Sequence, residues 1–155
     1  MRNERQKIYC GSFGLRFCMM RLQAAASERL IKQPDEYVVI EGVRSGKGMV
    51  KVFRAPIRKD SAYAAVMRME LAPGASVGLH QHKEDEEVYA IVSGTGLFLY
   101  EGGECPAKGG DVFVTHKGMY HGLKNLSADS PLVYFAVPTR PNLTEAGKAA
   151  GKAAE

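Results

Sequence analysis

From about Asp35 onward the chain alternates short apolar runs with turn residues. YVVIEG (37–42) and MVKVFRA (49–55) are rich in β-branched and aromatic residues and flank RSGKG, which predicts two strands around a glycine-rich turn. AYAAVMRMEL (62–71) fits helix or strand by composition. The alternation of Met67, Met69 and Leu71 with Arg68 and Glu70 selects a half-buried strand. After the turn LAPGAS come SVGLHQH (76–82), EVYAIVSG (87–94) and GLFLYEG (96–102), with SGTG and EGGE as hairpin connectors. DVFVTHKG (111–118), YHGLKNLS (120–127) and PLVYFAVP (131–138) complete about nine predicted strands. No convincing helix interrupts them, and the 17 glycines suit the many tight turns. The expectation is an all-β, antiparallel sandwich or barrel over residues 31–140.

The flanks read differently. Residues 1–30 are basic and carry CGSFGLRFCMM, but Arg16 and Arg21 break the apolar part, unlike the core of a signal peptide. They read as an irregular N-terminal extension, poorly ordered or loosely docked, and Met19 or Met20 is an alternative start. Residues 141–155, including LTEAGKAAGKAAE, read as a short C-terminal tail or frayed helix.

Composition narrows the classes. A chain of 155 residues, 45% hydrophobic and 25% charged, suits a single globular domain with a real core. No run approaches the ~20 apolar residues of a membrane-spanning helix. The net charge of +4 is concentrated in residues 1–59, which hold 13 Lys/Arg against 5 Asp/Glu. No dense basic stripe with interleaved aromatics appears, so nucleic acid is not an expected partner. Cys10, Cys18 and Cys105 are odd in number and scattered, which is no disulfide framework and points to a reducing, cytoplasmic setting.

The chemistry concentrates in four histidines, His80, His82, His116 and His121. Positions i and i+2 of a strand share a face, so His80 and His82 lie roughly 6.6 Å apart along the backbone with rings able to converge. Glu87 lies at an odd offset from His82, and a loop at KEDE (83–86) frees it from the strand register. Glu84, Asp85 and Glu86 read as solvated loop charges. Periodicity does not choose between Glu86 and Glu87, because EVYAIVSG is apolar on both faces. With His121 from a third strand, three imidazoles and one carboxylate suit Mn, Fe, Co, Ni, Cu or Zn. The absence of thiolates argues against a structural zinc knuckle.

The spacing of these residues resembles the cupin superfamily. Its first motif is matched by Gly74, His80, His82, Glu87 and Gly94. Its second is matched by Gly110, Gly118, His121 and Asn125, with His116 where proline is usual, so nine of ten positions agree. The resemblance implies a small single-domain cupin: a double-stranded β-helix, or jelly-roll barrel, with one divalent transition metal on His80, His82, Glu87 and His121. It selects Glu87 over Glu86. Tyr89, His116, Asn125, Met69 and Phe113 are candidate pocket residues or supports. Two functions follow. One is a metal-dependent enzyme of dioxygenase, isomerase or lyase type acting on a small organic substrate. The other is a non-catalytic protein binding or sensing a sugar or carboxylic acid. Strands apolar on both faces and an open edge at 37–55 lead to an expected homodimer.

Overall fold

The structure, a computed structural model, describes residues 36–141. The expectations for 1–30, for Cys10 and Cys18, and for the tail beyond 141 lie outside the described residues. Ten strands form: β1 (Val38–Glu41), β2 (Met49–Arg54), β3 (Met67–Leu71), β4 (Ser76–Gln81) and β5 (Glu87–Ser93) in the first half. β6 (Thr95–Tyr100), β7 (Gly103–Lys108), β8 (Val112–Thr115), β9 (Tyr120–Asn125) and β10 (Leu132–Pro138) follow. The sequence reading missed β7. GECPAK has no β-branched residue and carries Pro106, which suits an edge strand that lacks one ladder donor. Among the described residues β7 pairs only with β6, and the turn at 101–102 is all that remains of the expected connector. The predicted strand 62–71 is also shorter, beginning at Met67.

Two antiparallel sheets result, one ordered β1-β2-β3-β10-β5-β8 and the other β4-β9-β6-β7. From β3 the chain repeatedly crosses between them, so segments adjacent in sequence face each other across the interior. Gly94 makes the tight switch from β5 to β6 at φ 91°, where a Cβ would sit 2.8 Å from Pro131 O and Leu132 Cα. Any side chain there meets both positive-φ strain and backbone.

Inward residues alternate along β5, β6 and β10. Val50, Leu71, Leu123, Leu132 and Tyr134 are fully buried between the sheets. Tyr134 also donates its hydroxyl to Met69 Sδ at 3.2 Å. Beside this core the interior stays open as a cavity of about 330 Å³. A short 3-10 turn, Val43–Ser45, closes against β4. A Cβ on Gly46 would lie 2.1 Å from Ser76 O, and one on Gly78 would lie 2.2 Å from Arg44 O. The two backbones therefore touch, which only paired glycines permit. Among the described residues no helix is long and apolar enough to cross a membrane.

Candidate metal centre

Three elements deliver the imidazoles. His80 lies on β4 directly opposite His121 on β9 in the strand register. His82 stands just past the end of β4, where its backbone N–H bonds Met119 O and its carbonyl accepts from Gly118 N–H. Residues 83–86 form a non-strand link to β5 in the other sheet, where Glu87 is the first residue. The link resets the register, so Glu87 points inward although its offset from His82 is odd. The group therefore joins two imidazoles from one sheet, and a third just beyond the end of its β4 strand, to a carboxylate from the other sheet.

His82, Glu87 and His121 are buried and His80 is half-buried. His82 Nε2 and His121 Nε2 are 2.9 Å apart, and Glu87 Oε2 is 3.1 Å from each. One potential ligand atom from each of the four residues lies within 4.8 Å of the others. A triangle of two ring nitrogens and a carboxylate oxygen cannot be satisfied along every edge by one proton, whereas a cation at its centre serves all three. Separations of 2.9 to 3.1 Å are short enough for a single cation to reach all three donors. The donor set and its spacing therefore fit a divalent transition metal.

The outer ring nitrogens are anchored. His80 Nδ1–H donates to Gly78 O at 2.9 Å, which leaves Nε2 with its lone pair free. His121 Nδ1 shares a 2.8 Å hydrogen bond with the buried Thr115 hydroxyl. Such contacts hold ring orientation at metal sites. His82 Nδ1 is buried without an aligned hydrogen bond, yet Asp85 Oδ1 lies 3.1 Å away, within ion-pair range.

Proton affinities follow from this packing. Burial holds His80 down at about 4; the neighbouring imidazoles and Arg44 lower it further, and the Gly78 carbonyl opposes them. For His82 burial also disfavours the cation, but Glu87 and Asp85 outweigh it and the net direction is upward. Burial disfavours the Glu87 anion, yet His121 and His82 hold its carboxyl down at about 2. Burial pushes the Tyr89 hydroxyl well above its ordinary range.

The other candidates spread out. Tyr89 and Met69 line the cavity, with the Tyr89 ring 4.4 Å from that of His121. Phe113 stacks on Phe98 at 4.1 Å, behind the imidazoles and outside the cavity lining. The Asn125 amide donates to the carbonyls of Leu71, Ala72 and Ser130, and its oxygen accepts from Ser127 N–H, so this side chain ties the chain together away from the cavity. His116 is exposed and sits 3.2 Å from Glu86, while Glu84 pairs with Lys117 at 2.8 Å. Asp85 is not a free loop charge, since it lines the cavity beside His82. Arg44 and Arg54 also line the cavity and were not singled out in the sequence. The available signal was an arginine inside the glycine-flanked run GVRSGKG.

Known proteins agree with this architecture. The cupin domain family matches residues 67–138. An oxalate-binding protein of Thermotoga maritima is 37% identical over 100 residues, covering 63% of this chain and 82% of that protein. The crystal structure of a "predicted oxalate decarboxylase" from Thermotoga maritima superimposes with a TM-score of 0.67 at 32% identity, covering 71% of this chain and 97% of that one. A cupin 2 conserved barrel domain protein from Salinispora arenicola, 21% identical, shares the fold with a TM-score of 0.56 over 72% of this chain and 88% of its own. Motif spacing, the two-sheet barrel and these likenesses converge: the chain belongs to the cupin family.

Proposed function

We propose that this cupin holds one divalent transition metal on His80, His82, Glu87 and His121 and uses it to bind and transform a small organic acid in the adjoining cavity. The observation that carries the reading is the packing of His82 Nε2, His121 Nε2 and Glu87 Oε2 within 3.1 Å of one another beside a cavity of about 330 Å³. That volume suits a small molecule. The name of the Thermotoga maritima relative, an oxalate-binding protein, favours a carboxylate over a sugar. A metal held there would supply Lewis acidity toward a ligand oxygen, or redox chemistry if it is iron or manganese. The chain's own residues keep the imidazoles oriented, and Val52, Val77 and Met69 wall the space with apolar surface. The protein is proposed to act in the cytoplasm as a homodimer.

One observation favours binding without turnover as a second reading. Tyr89, buried against His121, keeps its proton and cannot serve as a base, and Asp85 faces His82. No described cavity-lining carboxylate beyond Asp85 and Glu87 is available for proton transfer. Purified protein is expected to carry about one metal per chain by elemental analysis and to bind oxalate calorimetrically. His121→Ala is expected to lose the metal. Full metal content in that variant contradicts the four-ligand centre. Oxygen uptake or product formation from a panel of small acids separates the enzyme from the binding protein.

A further inference from the structure

We infer that Arg44, presented by the strained turn at 43–45, is a carboxylate anchor at the mouth of the cavity that selects an anionic ligand over a neutral one. The inference rests on the proposed metal centre and names the feature that would give it its ligand class. Arg44 lines the same cavity as His80, His82 and Glu87. It is exposed, so its presence there is not explained by packing. No described carboxylate lies within ion-pair distance of it, although the acids of the 83–87 segment each face a histidine or a lysine. The two carboxylates that line the cavity, Asp85 and Glu87, face imidazoles. That leaves the guanidinium as an unspent cation.

The backbone points the same way. Arg44 has φ 53° and ψ 42°, and Ser45 has φ 60°, left-handed conformations for two consecutive residues that are not glycine. Glycine stands on both sides, at Gly42, Gly46 and Gly48, so the chain had a cheaper residue for such a turn close by. Strained backbone of this kind persists where neighbouring structure over-determines it, and it clusters at ligand clamps. Here the constraint is visible. Gly46 and Gly78 let the turn press on β4 two residues before His80, while Ser76 N–H donates to Lys47 O at 2.8 Å and Lys47 N–H donates to Ser76 Oγ at 3.0 Å. The turn thus fixes Arg44 relative to the imidazoles. Arg54, on β2, lines the same cavity and adds a second positive charge. A planar guanidinium bonds a carboxylate through two parallel N–H donors, which a hydroxyl cannot match.

The test is calorimetric titration of manganese-loaded protein with oxalate, malonate, inorganic phosphate and xylose, alongside elemental analysis. Wild type is expected to bind the dicarboxylates and to discriminate against xylose. Arg44→Gly suits the left-handed turn, so it is expected to hold or raise the melting temperature and keep the metal while weakening oxalate binding at least ten-fold. Arg44→Lys, which keeps charge but loses the fork, is expected to fall between them. Oxalate affinity unchanged in Arg44→Gly, with metal retained, overturns the anchor and leaves the metal centre standing. Wild type that prefers phosphate overturns the carboxylate assignment. Wild type that takes up no metal, or takes it up and binds no acid, overturns the proposed function and the anchor together.

Discussion

At the scale of residues, the centre sets how stability responds to pH. His80 titrates at about 4 in the fold, because burial disfavours its cation, against an ordinary imidazole value near 6.5. Unfolding therefore takes up a proton between those values, and stability falls as pH drops from about 6.5 to about 4. Glu87, held at about 2 rather than 4.5, continues that loss at lower pH, since its stabilisation is present above the ordinary value and vanishes as pH falls through the folded one. His82 has the opposite sign. Its raised value contributes stability at low pH that is lost as pH rises through the folded value. In metal-free protein, urea unfolding at about pH 7 and about pH 4.5 is expected to show His80→Gln gaining on wild type as pH falls. Parallel pH profiles for the two proteins would contradict the burial assigned to His80. The closeness of His80 and His82 was legible in the HxH spacing, but β4 ends at Gln81, so the direction of the His82 ring is not set by strand alternation. Asp85 was not legible, because a loop acid's direction depends on the imidazole it meets, and His82 is placed by contacts with Met119 and Gly118.

At the scale of elements, the contact of the 43–45 turn with β4 is an all-backbone junction. Gly78→Ala would place a methyl 2.2 Å from Arg44 O and 2.9 Å from Gly46 N. Neither atom is the end of a flexible side chain, so the turn or the strand has to move. Overpacking of this sort costs about 1–3 kcal/mol. Chemical denaturation of Gly78→Ala is expected to show a loss of that size, and metal affinity is expected to weaken as well, because Gly78 O also holds the His80 ring. Wild-type stability in this variant would show that the junction is loose. Most strands were readable from alternation and turn residues. β7 was not, because its pairing is a property of the β6 edge it joins and not of GECPAK itself. The start of β3 was misplaced for a related reason. Ala62–Val66 has strand-compatible residues, but its described sheet-like links are a single bridge of Tyr63 to Thr139 and the backbone bonds of Ala64 N–H to Pro138 O, Arg140 N–H to Ala62 O and Ala55 N–H to Val66 O.

At the scale of the whole molecule, the outer side of the six-stranded sheet carries Arg68, Glu70 and Lys51 on β3 and β2 but is apolar over β10, β5 and β8. Val88, Ala90 and Val92 of β5 point outward opposite their inward neighbours, and they adjoin Val112 and Val114 of β8 and Phe135 of β10. Val92 is 52% exposed, Val112 61%, Val114 49% and Phe135 41%. A contiguous apolar face on a sheet marks an association surface. Sedimentation analysis is expected to show a dimer for wild type and a monomer for Val114→Lys, with metal content equal in both. A wild-type monomer at high concentration, or a Val114→Lys dimer, would rule this face out as the contact. The apolar outer positions were visible in the sequence as strands without strict alternation, but the surface they form required the neighbour order β10-β5-β8.

The sequence by itself determined the all-β class, the alternating inward positions and the identity and spacing of three imidazoles and a carboxylate, because side-chain direction along a strand has period two and turn residues punctuate it. Only the tertiary structure decided that the imidazoles and Glu87 meet across two sheets, that an open cavity lies beside them, and that Arg44 stands at its mouth. Those relations depend on which strands become neighbours and how closely two backbones approach, and such long-range pairings leave no local periodicity to read.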